Sequence, residues 1–149
     1  MTDAALTEAV TEEIEALHRF FVGWFGGALP DDAALFQREF SARFDPGCVL
    51  IPPAGETLDM PLLTDRIRAT YATNPSFRIA IRNVQVRHAG DDLVLATYEE
   101  WQRHAFKSTP PDNGRVATVL FARRERLTWL HVHETWLPAD VMAAGPFDF

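Results

Sequence analysis

The stretch that decides the fold is WLHVHETW, residues 129–136. Two tryptophans and two histidines fall within eight otherwise mainly apolar positions. Side chains at i and i+2 of a strand share a face. Trp129, His131, His133 and Thr135 therefore point one way, and Leu130, Val132, Glu134 and Trp136 the other. Upstream, Arg115 to Arg123 reads as a partner strand, with Glu125-Arg126 as the turn between them.

Further back, Asp92 to Phe106 is a long strand, followed by the polar loop STPPDNG at 108–114. Phe77, Ile79 and Ile81 alternate with polar residues before the parity slips to Val84 and Val86. A β-bulge near Arg82-Asn83 keeps all five on one face. Gly90-Asp91 is the hairpin turn.

The first half has a helical period. Leu6, Val10, Ile14, Leu17, Phe21 and Trp24 form one stripe of an amphipathic helix. Gly26-Gly27 and Pro30 end it. Asp31 or Asp32 can cap a second helix carrying Leu35, Phe36, Phe40 and Phe44, and Asp45-Pro46-Gly47 reads as a turn. Short strands at 48–51 and 56–59 precede a third helix at 62–72, with Pro61 in its first turn. Helices first and long antiparallel strands afterwards imply an α+β domain over 1–149.

The last hairpin, GRVATVLFARRERLTWLHVHETWLP, resembles the closing hairpin of the nuclear transport factor 2-like superfamily, a cystatin-like cone. Trp129, Val132 and His133 match the pattern of its calcium/calmodulin-dependent kinase association-domain-like and SnoaL-like bacterial branch. FDPGCVLIPP is similar to the family's entry into its first strand. The resemblance implies three N-terminal helices on a strongly curved, mainly antiparallel sheet with an internal pocket. It also implies a homodimer, through the outer sheet face that the helices leave uncovered. It does not name a reaction, because this superfold hosts isomerases, cyclases, hydrolases and non-catalytic modules.

Eleven phenylalanines and four tryptophans supply a bulky apolar set that suits closure around a cavity. The net charge of −7 argues against a general nucleic-acid binder, which needs a basic face. Cys48 is the only cysteine, so no intrachain disulfide forms, and it reads as a small core residue. No apolar run approaches a membrane span and the acidic N-terminus lacks a signal pattern, so a cytoplasmic protein is expected.

The expected ligand-binding set is Tyr98, Trp101, Arg103, Trp129, His131 and His133. Aromatics would line the cone and the two histidines would be its polar handles. His131 and His133 lack a third ligand of suitable spacing, so no metal is expected, and no cofactor. Glu99 beside Arg103 could activate water, as in the epoxide-hydrolase branch, whereas Glu100 and Gln102 read as exposed cross-strand partners. Pro52 stands where the ketosteroid-isomerase branch keeps its carboxylate and cannot accept a proton, so that reaction is not expected. Glu56 in the following turn is the one carboxylate that could substitute. The preferred reading is a small-ligand binder. The alternatives are a non-catalytic association module, for which the cone would be filled, and a cofactor-free isomerase, cyclase or hydrolase.

Overall fold

The computed structural model describes residues 3–149. Its elements run α1 (Asp3–Gly26), α2 (Ala33–Glu39), a 3-10 turn (Ser41–Arg43), β1 (Phe44–Ile51), β2 (Leu58–Asp59) and α3 (Met60–Ala69). Then come β3 (Arg78–Ala89), β4 (Leu93–Arg103), β5 (Asn113–Arg123), β6 (Leu127–Trp136) and α4 (Ala139–Ala144). One curved six-stranded sheet has the order β2-β1-β6-β5-β4-β3. Among the described residues only the β1–β6 pairing is parallel.

Local chemistry sets the helix boundaries. Asp32 accepts from Leu35 N at 3.0 Å and Asp59 from Leu62 N at 3.0 Å, so each caps the helix that follows. Gly27 leaves α1 with φ of +76°, and a Cβ there would lie 2.9 Å from Ala72 Cβ. Both the left-handed backbone and the close approach call for glycine.

The apolar stripe of α1 (Val10, Ile14, Leu17, Phe20 and Trp24) packs into the concave side of the sheet. There it meets Val94, Ala96 and Tyr98 of β4, Val119 and Phe121 of β5, and Trp129 and Val132 of β6. Each fully buried large side chain contributes about 1.5–3 kcal/mol. Two indoles act as ties: Trp24 Nε1 donates to Ile67 O at 2.8 Å, and Trp129 Nε1 donates to Glu13 Oε1 at 3.0 Å.

Two irregularities depart from the sequence expectation. Asp45-Pro46-Gly47 lies inside β1 rather than in a turn, with Gly47 N donating to Asp45 Oδ2 at 2.9 Å. This local loop shifts the pairing with β6 between Phe44 and Val49. In β6, His131 pairs with Leu120 and Trp129 with the next residue, Phe121, so Leu130 is an extra residue. A bulge reverses strand parity. Trp129 therefore shares the concave face with Val132 and Glu134, and His131, His133 and Thr135 face outward. The bulge expected in β3 is present, with Asn83 at φ of +53° between the paired residues Arg82 and Gln85.

After β6 the chain turns back as α4 and lays its tail on the convex side of β4. Phe147 meets Trp101 edge-on at 5.5 Å, and Arg82 lies 4.9 Å over the same indole. No helix among the described residues is long and apolar enough to cross a membrane.

Candidate functional site

The cone is not filled. Between α1, α3 and the concave sheet lies a cavity of about 150 Å³. Its apolar walls include Phe21, Phe25, Phe77, Tyr98, Trp129 and Val132, and its polar groups are His18, Glu100, Gln102, Arg115 and Glu134. A second, more open pocket of about 310 Å³ adjoins it. Phe25, Phe77, Gln102 and Arg115 line both, so these four mark the boundary, here termed the throat, between an inner chamber and a vestibule. The vestibule also takes in Asn74, Lys107 and Ser108, with the 64% exposed Phe106 at its wall.

The polar groups form a chain across the cone, from α1 through β4 and β5 to β6. His18 Nδ1 lies 2.6 Å from Ile14 O, and His18 Nε2 lies 2.9 Å from Glu100 Oε1. Gln102 Nε2 donates to Glu100 Oε2 at 2.5 Å. Arg115 donates to Gln102 Oε1 at 3.2 Å, to Asn113 Oδ1 at 3.3 Å and to Glu134 Oε1 at 3.4 Å. Trp136 at the end of β6 places its ring 5.0 Å from the Arg115 guanidinium.

The charges follow from the partners. Burial alone would push Glu100 up, but the His18 charge and hydrogen bond, then Arg115 and Gln102, hold it down to about 2. It is a carboxylate and only accepts, as does the Ile14 carbonyl. Both His18 ring nitrogens must then donate, making the ring an imidazolium. Burial opposes this charge, yet Glu100 and Ile14 O outweigh it and His18 is raised above its ordinary value. Glu134 behaves oppositely. Burial and then the Glu100 charge push it up to about 7, against the opposing pull of Arg115 and His18. Burial and the two carboxylates also raise the Tyr98 phenol well above its ordinary value, so it stays protonated. Glu134 is thus a carboxyl at the cavity able to exchange a proton near neutral pH.

Of the six residues expected to hold a ligand, Tyr98 and Trp129 line the inner chamber. Trp101 and Arg103 are on the convex side under the tail, where Arg103 donates to the Phe149 main-chain oxygen. Trp101 Nε1 donates to Glu99 Oε1 at 2.9 Å, so Glu99 also lies outside the cone. His131 is half-buried and His133 exposed on the outer face, and neither borders the cavity. The β6 bulge at Leu130 is the reason, since the expectation assumed unbroken alternation. Glu100 and Gln102, expected on an exposed surface, are buried in the cone. Glu56 is exposed and paired with Arg66 at 2.7 Å, away from the cavity. Cys48 is buried, and its thiol is pushed up to about 12 by burial, which leaves it inert as a nucleophile.

His18, Arg115 and Glu134 were not among the expected site residues. His18 had a legible signal: it follows Ile14 by four and precedes Phe21 by three, so a polar side chain sits on the apolar stripe. Arg115 begins the alternation Arg115, Ala117, Val119, Phe121, which places it on the buried face. Glu134 had no such signal without the bulge. Among the described residues no cluster of three or more acidic, histidine or cysteine side chains is arranged to hold a metal.

Residues 10–138 match the family described as sucrose-6-phosphate phosphohydrolase C-terminal. No curated protein matches the chain. Among solved structures, an NTF2-like protein of unknown function from Pseudomonas aeruginosa is 27% identical with a TM-score of 0.76, covering 87% of this chain and 99% of that one. A protein with a cystatin-like fold from Caulobacter vibrioides is 17% identical with a TM-score of 0.65, covering 94% and 95%. The association domain of C. elegans CaMKII is 12% identical with a TM-score of 0.66, covering 89% and 97%. The last two share the fold alone; the match over residues 10–138 shows that the chain belongs to the sucrose-6-phosphate phosphohydrolase C-terminal family, built on the NTF2-like, cystatin-like cone.

Proposed function

We propose that the chain, acting as one cytoplasmic domain, binds a small organic molecule with an apolar body and a polar head in the inner chamber. The observation that carries this reading is the unfilled cavity of about 150 Å³ with Glu134 held near 7 in its wall. Mostly apolar walls with a few placed polar groups are the usual makeup of a small-molecule site. An association module without a ligand has no need for an open chamber, or for the unfavourable burial of His18, Glu100, Arg115 and Glu134.

The acid/base alternative is favoured by one specific feature. Glu134 can give up or take a proton near neutral pH, whereas His18 is committed to two acceptors. Any isomerisation, cyclisation or hydrolysis at this site would therefore run its proton through Glu134, with the Tyr98 phenol as a neutral hydrogen-bond donor.

The test is a fragment-library titration followed by amide NMR. Binding compounds should perturb Tyr98, Val132 and the Trp129 indole together. If every compound that binds perturbs only convex-face residues such as His133, the pocket reading is wrong.

A further inference from the structure

The guanidinium at the throat is poorly satisfied. Arg115 carries five N–H donors. Its three hydrogen bonds span 3.2–3.4 Å, and its buried Nε has no partner among the described residues. Charge-assisted bonds are ordinarily about 2.7–2.9 Å. A planar carboxylate matches the guanidinium fork and would replace long contacts with short ones.

The charge balance points the same way. The His18 imidazolium offsets the Glu100 carboxylate, and a protonated Glu134 leaves Arg115 as an uncompensated cation. The vestibule wall adds Lys107 and, among the described residues, no acidic side chain. That entrance is cationic in a chain whose net charge is −7. An anion approaching the throat gains from both cations, whereas a cationic ligand is repelled. The inner chamber sets the size, since a cavity of about 150 Å³ accommodates one six-membered ring.

We propose that the ligand is a monocarboxylate with a ring-sized apolar body, its carboxylate on Arg115 at the throat and its body in the inner chamber. This rests on the reading that the cavity binds a ligand. A bound anion disfavours ionised Glu134, so binding takes up a proton there. The groups facing Glu134 are His18 from α1, Tyr98 and Glu100 from β4, and Arg115 from β5. Of these, Glu134 is the carboxyl held at about 7, and His18 is raised above its ordinary value by Glu100 and the Ile14 carbonyl against the opposing effect of burial.

The experiment titrates the full chain with benzoate, benzamide and benzylamine, at about pH 6 and about pH 8.5, reading the Trp129 indole and Tyr98 by NMR. Benzoate should bind at least about tenfold more tightly than benzamide, the worth of one charge-assisted hydrogen bond. Its affinity should fall by up to about thirtyfold at the higher pH, while Glu134→Gln should bind with a flat pH profile. Arg115→Gln should remove the preference for benzoate over benzamide. Should that variant not fold, the exposed Lys107→Gln should weaken benzoate and leave benzamide unchanged. Equal binding of benzamide and benzoate, or tighter binding of benzylamine, would overturn the carboxylate assignment and leave the pocket reading standing. If none of the three perturbs Trp129 or Tyr98, the assignment falls, and the fragment titration above decides separately whether the pocket reading falls with it.

Discussion

His18 Nε2 lies 2.9 Å from Glu100 Oε1, across the cone and 82 residues away in sequence. The pair ties α1 to β4 inside an apolar interior. Removing one partner of a buried ion pair costs about 3–5 kcal/mol, because the other charge remains buried and unpaired. His18→Leu should lose that much in urea denaturation. The double variant His18→Leu/Glu100→Met should recover most of the loss, since apolar replacement of a whole buried pair is often neutral. A double variant less stable than His18→Leu would contradict the assignment of these charges.

Stability should depend on pH through Glu134 with a definite sign. Its folded value, about 7, lies above the ordinary 4.5, so its contribution is complete below about pH 4.5. That contribution is lost as pH rises to about 7, by on the order of 3 kcal/mol. Glu134→Gln should therefore be more stable than wild type at pH 8 and about equal to it near pH 4.5, as read by urea denaturation at both pH values. A wild type that gains stability between these limits relative to Glu134→Gln would reverse the sign and the argument. Glu100 acts oppositely, stabilising above about pH 4.5 and losing its share as pH falls through about 2.

His133 is exposed on the outer face and touches nothing in the cone. His133→Leu should leave the affinity of the chamber for benzoate unchanged, as read by titration against the Trp129 indole. A loss of chamber binding in this variant would place the histidines back in the site.

The outer face also bears on assembly. Leu95, Leu120 and His131 are half-buried there, with Thr118 and His133 exposed beside them. A sheet face of this composition, uncovered by the helices, suits a second copy of the chain. Light scattering should give twice 16.8 kDa at micromolar concentration, and Thr118→Arg should shift it toward 16.8 kDa. Wild type at 16.8 kDa would rule the homodimer out.

The fold was legible because its signals are periodic. The α1 stripe survives with Phe20 buried beside the half-buried Phe21, and the slip at Arg82-Asn83 is a bulge as read. The site was less legible because one inserted residue, Leu130, exchanges the two faces of β6. Unbroken alternation puts His131 and His133 inside and Glu134 outside, and the bulge inverts this. Glu100 and Gln102 were lost for another reason. Their strand carries polar residues on both faces, and only contact with His18 and Arg115 distinguishes the inward row. The Asp45-Pro46-Gly47 turn signal was real as local chemistry, but it sits inside a strand.

The central claim is that the Glu134 carboxyl in the cone takes up and releases its proton near neutral pH. Carboxyl-carbon NMR of selectively labelled glutamate, titrated from about pH 3 to about pH 9, reads it directly. The account predicts one carboxyl with a midpoint near 7, absent in Glu134→Gln and moved upward by saturating benzoate. It also predicts that Glu100 stays ionised throughout that range. A Glu134 midpoint at the ordinary value of about 4.5, unmoved by benzoate, would contradict it.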